Sequence, residues 1–124
     1  MTTGRERIDA VFTGSKKPLL VAFTVAGDPD YTTSLAIIRE MAVSGADIIE
    51  LGLPFSDPVA DGPVIQRADL RAMEAGMNTD RLLDFVREFR EDSTVPVVIL
   101  TYANLIIRRG ISRFYKDAAQ AGVD

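Results

Sequence analysis

The sequence predicts an α/β fold built on a short parallel sheet, and two observations carry that expectation. Three apolar runs rich in β-branched residues read as strands: Leu19–Val25 (LLVAFTV), Asp47–Leu51 (DIIEL) and Pro96–Leu100 (PVVIL). Each is followed by a stretch whose apolar residues recur at helical spacing. Runs of this kind are typical of strands covered on both faces. Strands separated by helices pair in parallel through crossovers, because a crossover returns the chain to the same end of the sheet.

In chain order, charged and apolar residues over Arg5–Thr13 form an opening helix. The first strand ends at Gly27-Asp28-Pro29-Asp30, where Pro29 disfavours helical backbone at Asp28. Leu35, Ile37, Ile38, Met41 and Ala42 then make a helical apolar face, and Gly45 stands where a helix commonly ends in the left-handed conformation. The second strand leads into LGLPFSDPVADGP, dense in Gly, Pro and Asp. Helical spacing resumes over Val64–Ala75, pauses at GMNT, and runs again through Leu82, Leu83, Phe85, Val86 and Phe89, with Thr79 or Asp80 as the expected N-cap. After the third strand, TYANLIIRRG reads as a loop and Ser112–Gln120 as the last helix. The order α-βα-βα(α)-βα suits an open doubly wound sheet and a closed (β/α)8 barrel equally.

An internal repeat bears on the end of the chain. Ala42-Val43-Ser44-Gly45-Ala46-Asp47 is similar to Ala119-Gln120-Ala121-Gly122-Val123-Asp124. In the first copy a strand begins at once after Asp47, so a fourth strand is expected to start at Asp124. Three parallel strands alone leave apolar edges uncovered, which native sheets usually avoid.

Composition narrows the chemistry. The chain has no His and no Cys, which removes Ser–His and Cys–His nucleophiles, thiolate or imidazole zinc sites and disulfides. Carboxylates, Tyr and Lys remain for acid–base work. Fourteen Lys and Arg against 18 Asp and Glu give a net charge of −4 without a basic block, so nucleic acid is not an expected partner. MTTGRERIDAVF is not a signal peptide, and PLLVAFTVA is too short to span a bilayer. A cytoplasmic, globular protein fits these features. Neither a phosphate-binding G-x-x-x-x-G-K-[ST] loop nor any G-x-G is present. Lys16, Lys17 and Lys116 fall before a strand or within a helix, which disfavours Schiff-base chemistry.

In α/β folds functional groups gather at the carboxyl ends of the strands. Those positions are Asp28, Glu50 through Asp61, and Tyr102 to Asn104. With period two, Ile48 and Glu50 share one face of their strand, and Ile49 and Leu51 the other. A carboxylate among apolar neighbours has a raised pKa and suits general acid–base catalysis; a buried structural ion pair is the alternative. Asp57 and Asp61 lie in a loop freed by Gly52 and Gly62 and stiffened by Pro54, Pro58 and Pro63, as lids are; ordinary turn chemistry also explains those residues. Asp28, Asp57 and Asp61 have the oxygen ligands to hold Mg²⁺, but no metal is expected. The residues by themselves lead to a carboxylate-driven α/β lyase or isomerase.

The run from Ile49 to Pro63 (IELGLPFSDPVADGP), continuing in Ile65-Gln66, resembles the signature of the tryptophan synthase α chain. Phe23-Thr24 with Gly27-Asp28-Pro29 is similar to that family's first strand and turn. Tyr102-Ala103-Asn104-Leu105, Gly110 and Phe114-Tyr115 are similar to its third unit. The resemblance covers essentially all of the chain and about the first half of a family member. It implies a TIM barrel, here an N-terminal helix and the first three βα units, so that residues 1–124 make the N-terminal half of a single barrel domain. It implies that Glu50 and Asp61 are the catalytic pair cleaving indole-3-glycerol phosphate to indole and glyceraldehyde 3-phosphate. Phe23, Ile65, Leu100 and Tyr102 would line the indole pocket. Asp57, Pro58 and Asn104 would meet the β chain of an α2β2 complex, which carries pyridoxal phosphate, with no cofactor on the α chain. The family holds the substrate phosphate with later, glycine-rich segments, so little or no activity is expected of these 124 residues alone. The alternative is a non-catalytic half-barrel that self-associates or binds a β chain.

Overall fold

A computed structural model describes residues 2–14 and 17–124; of the three lysines named above, Lys16 lies outside the described residues. The elements run α1 (Gly4–Phe12), β1 (Val21–Val25), α2 (Tyr31–Val43), β2 (Ile48–Gly52), α3 (Pro63–Glu74), α4 (Thr79–Arg90), β3 (Val97–Leu100), α5 (Ala103–Arg109) and α6 (Ile111–Ala121). The three strands pair in parallel in the order β1-β2-β3, with Phe23 beside Glu50 and Glu50 beside Val98. Parallel pairing follows from the helices between the strands, as the sequence implied.

One face of the sheet carries the core. Ile49, Leu51 and Val97 are fully buried there, in a cluster with Leu35 and Ile38 of α2, Leu82, Phe85, Val86 and Phe89 of α4, and Phe114 and Ala118 of α6. Truncating either core phenylalanine of α4 to Ala would cost about 3–5 kcal/mol. The other face is covered unevenly. Val21, Phe23 and Leu100 are 46, 38 and 51 % exposed, and these share the face of Glu50 by register. Within the described residues strand one is therefore covered on one face only, where both faces were expected to be buried: its apolar side chains partition between a helix-covered side and an open side. The strand itself starts at Val21, two residues later than the apolar run.

Two further differences have local causes. The N-cap of α4 is Asn78, neither Thr79 nor Asp80; its extended backbone lets the side-chain oxygen accept the Arg81 N–H at 2.9 Å. The segment read as a loop after β3 contains a seven-residue helix, α5, because Leu105 and Ile106 pack on the core. Gly110, at φ 97°, then redirects the chain into α6, a backbone state that costs a residue with a Cβ.

The internal repeat is a structural repeat. Asp47 donates its N–H to the Leu20 carbonyl at 3.0 Å and accepts the Leu20 N–H on Oδ2 at 2.8 Å. Asp124 treats Val97 in the same way, at 2.8 Å in both directions. In each copy a glycine with positive φ, Gly45 or Gly122, ends the helix two residues earlier. The Asp124 side chain is wholly buried and also accepts Arg7 Nε at 2.6 Å and the Arg90 guanidinium, which ties α1 and α4 to the start of β3. Burial holds the Arg90 pKa below its ordinary value against the pull of Asp124.

Candidate functional site

The carboxyl ends of the three strands open on a cavity of about 340 Å³. Its apolar walls are Phe23, Leu53, Ile65 and Leu100, and its polar groups are Asp61, Asp69, Thr101 and Tyr102. Gly52 lines it too, and a Cβ there would stand 3.0 Å from the Phe23 ring, which would have to shift into the cavity to make room. A largely apolar recess with a few converging polar groups is the usual form of a small-molecule site.

Asp61 reaches the cavity from the loop before α3. Pro63 opens that helix at its first position, where the missing N–H costs nothing, and Gly62 precedes it in extended backbone. The loop is pinned in several places. The Tyr102 hydroxyl donates to Asp61 Oδ2 at 3.1 Å and accepts the Ala60 N–H at 3.0 Å. Gln66 Nε2 donates to the Asp61 carbonyl at 2.7 Å. The Phe55 and Tyr102 rings lie 5.1 Å apart, tilted at 33°. Burial, and next to it the Asp61 carboxylate, raise the Tyr102 pKa, so the phenol stays a neutral donor.

Glu50 is not among the cavity-lining residues. It shares a face with Gly52, one pleat further from the strand end, and is half-buried between Phe23 and Val98. Its side chain takes part in no ion pair or hydrogen bond among the described residues. The structure thus gathers Phe23, Asp61, Ile65, Leu100 and Tyr102 around one cavity and leaves Glu50 just below its floor.

The remaining sequence candidates lie elsewhere. Asp57 is exposed and Pro58 half-buried on the outer part of the loop, and Asn104 is exposed in the first turn of α5. Asp28 is engaged by Arg71, which donates to both carboxylate oxygens at 2.8 and 3.0 Å. No group of three or more carboxylates among the described residues could hold a metal ion.

Asp69 is the residue that sequence reasoning missed. It is 3 % exposed and lines the cavity beside Asp61. Burial first, and then the Asp61 charge, raise its pKa to about 6, with Asp28 adding to the effect and the Phe55 N–H opposing it. A signal was present: Ile65, Ala68 and Ala72 set the inward stripe of α3, and Asp69 falls within it.

Comparison with known proteins decides the family. The family model described as tryptophan synthase alpha chain matches residues 10–124. The chain belongs to the tryptophan synthase α chain family. A Methanoregula boonei tryptophan synthase alpha chain is 54 % identical over 118 residues, covering 95 % of this chain and 44 % of that protein. The crystal structure of the Legionella pneumophila tryptophan synthase subunit alpha superposes with a TM-score of 0.92 at 38 % identity, covering all of this chain and 48 % of that one. The Pyrococcus furiosus tryptophan synthase α2β2 complex matches with a TM-score of 0.81 at 40 % identity, covering 86 % of this chain and 45 % of that one. The three βα units are thus part of a TIM barrel, and the chain spans less than half the length of the relatives it matches. No described helix is long and apolar enough to cross a membrane.

Proposed function

We propose that this tryptophan synthase α-family chain carries the carboxylates for retro-aldol cleavage of indole-3-glycerol phosphate. Glu50 protonates C3 of the indole ring and takes the proton of the neighbouring side-chain hydroxyl. The C3–side-chain bond breaks, its electron pair returns to the ring, and indole and glyceraldehyde 3-phosphate leave. Asp61 accepts the indole N–H and offsets the positive charge that develops at that nitrogen. Phe23, Ile65, Leu100 and Tyr102 hold the flat ring. The step needs no cofactor on this chain; pyridoxal phosphate would belong to a β partner reached through the surface around Asp57, Pro58 and Asn104. A relative solved as an α2β2 complex supports that partner.

The observation that carries the proposal is the apolar cavity with Asp61 fixed in its wall by Tyr102. Among the described residues no Lys or Arg lines it to meet the substrate phosphate, and turnover by these residues alone is expected to be slow. The test is a titration of indole into the chain, which has no Trp to obscure indole fluorescence. Saturable binding that Asp61→Ala weakens about tenfold supports the proposal, the loss expected of one charge-assisted hydrogen bond. Binding indifferent to that substitution rejects it.

A further inference from the structure

We propose that Asp69 is a second acid of the Asp61 cavity: buried in the same wall, it deepens the negative potential that a ligand N–H meets there. The inference rests on Asp61 being the ligand-facing acid.

The geometry has three parts. Asp69 is almost wholly buried, yet it lies in the wall of the same cavity as Asp61. No ion pair among the described residues supplies it with a cation; the nearby Arg71 is spent on Asp28. Asp61 is held in that same wall by the Tyr102 hydroxyl at 3.1 Å. A buried carboxyl without a counter-ion is normally avoided unless it is bonded or neutral, so its placement is informative.

The groups facing Asp69 are Asp61 from the loop, Asp28 from the turn after β1, and Tyr102 at the start of α5. Both acids oppose its ionisation, together with burial, and place its titration at about 6. Below that pH Asp69 is neutral and Asp61 stands beside a neutral acid. Above it two carboxylates share the cavity, and a donor N–H meets a deeper negative potential. Ligand affinity should therefore rise with pH through the Asp69 titration. By linkage, a bound N–H donor should in turn favour the ionised form of Asp69 and lower its midpoint.

The experiment is a carboxyl-carbon NMR titration of the chain, with and without saturating indole, on wild type and Asp69→Asn. In wild type, Asp69 should titrate near 6, and indole affinity should rise about threefold across that titration. In Asp69→Asn the affinity step should vanish. Indole binding that stays level through the Asp69 titration in wild type, or a step that survives in the variant, overturns this proposal and leaves the indole assignment standing. Absence of indole binding at any pH overturns the indole assignment and this proposal with it. Asp69→Thr serves if the Asn variant does not fold, and the wild-type affinity profile decides by itself if neither does.

Discussion

The Tyr102 hydroxyl and the Asp61 carboxylate meet at 3.1 Å across 41 positions of sequence, joining the carboxyl end of β3 to the loop after β2. Because the same hydroxyl accepts the Ala60 N–H, one phenol fixes both the side chain and the backbone of the loop. Removing it frees two partners at once. Tyr102→Phe keeps the ring against Phe55 but should lower stability by about 1 kcal/mol and weaken indole binding about three- to tenfold. A urea melt and an indole titration on the same protein check both. A loss of stability with unchanged affinity would mean that the loop position does not matter to the ligand.

Glu50 and Asp61 should separate by assay. Glu50 lies outside the cavity lining, whereas Asp61 is within it. Glu50→Gln is therefore expected to leave indole affinity within about twofold while abolishing most indole release from indole-3-glycerol phosphate, since a positioned acid–base contributes about 10²–10⁴-fold. Release is measured with the β chain present and compared with wild type under the same conditions. A large fall in indole affinity would place Glu50 in the binding wall instead.

Asp69 should make stability depend on pH in a defined direction. Its folded pKa, about 6, lies above the ordinary 3.8, so the folded state holds the proton more tightly than the unfolded one. Stability is then highest below pH 4, falls as pH rises from about 4 to about 6, and is level above. Asp69→Asn lacks this loss. It should match or trail wild type at pH 4 and exceed it at pH 7.5 by about 1–2 kcal/mol, the shift being discounted for solvent reaching the open cavity. Denaturant midpoints at the two pH values test this, and a difference that does not change with pH would refute it.

Most of the frame was legible because it depends on short-range pattern. Apolar runs and helical spacing located all three strands and the long helices, and the Gly45–Asp47 motif repeated at Gly122–Asp124 marked two equivalent strand entries. What could not be read depends on partners distant in sequence. Whether Phe23 faces core or cavity is set by the covering of each sheet face, which no local period encodes. Helix α5 was hidden because its burial comes from a few contacts of Leu105 and Ile106 within a seven-residue stretch. At the site, Asp61 and the cavity walls followed from a family resemblance, whereas Asp69 was overlooked because an acid on an inward helical stripe looks like a surface residue until the neighbouring loop is placed over it.

Asp124 offers the sharpest stability prediction. Its side chain has no solvent exposure and accepts the Val97 N–H, Arg7 and the Arg90 guanidinium. Two arginines, each mostly buried, depend on that single carboxylate for charge compensation, and Arg90 also donates to the Gly122 and Val95 carbonyls. Breaking a buried pair by removing one partner leaves an uncompensated charge and typically costs about 3–5 kcal/mol. Asp124→Ala is therefore expected to lower stability by that amount, more than Asp124→Asn, which retains an acceptor for the Val97 N–H. Asp47→Ala should cost less, about 0.5–1 kcal/mol, because among the described residues no ion pair reaches Asp47 and the exposed Leu20 N–H can turn to water. Urea unfolding of the three variants gives the order directly. Equal losses at the two aspartates would show that the backbone clasp, common to both, carries the stability and that the arginine cluster adds nothing.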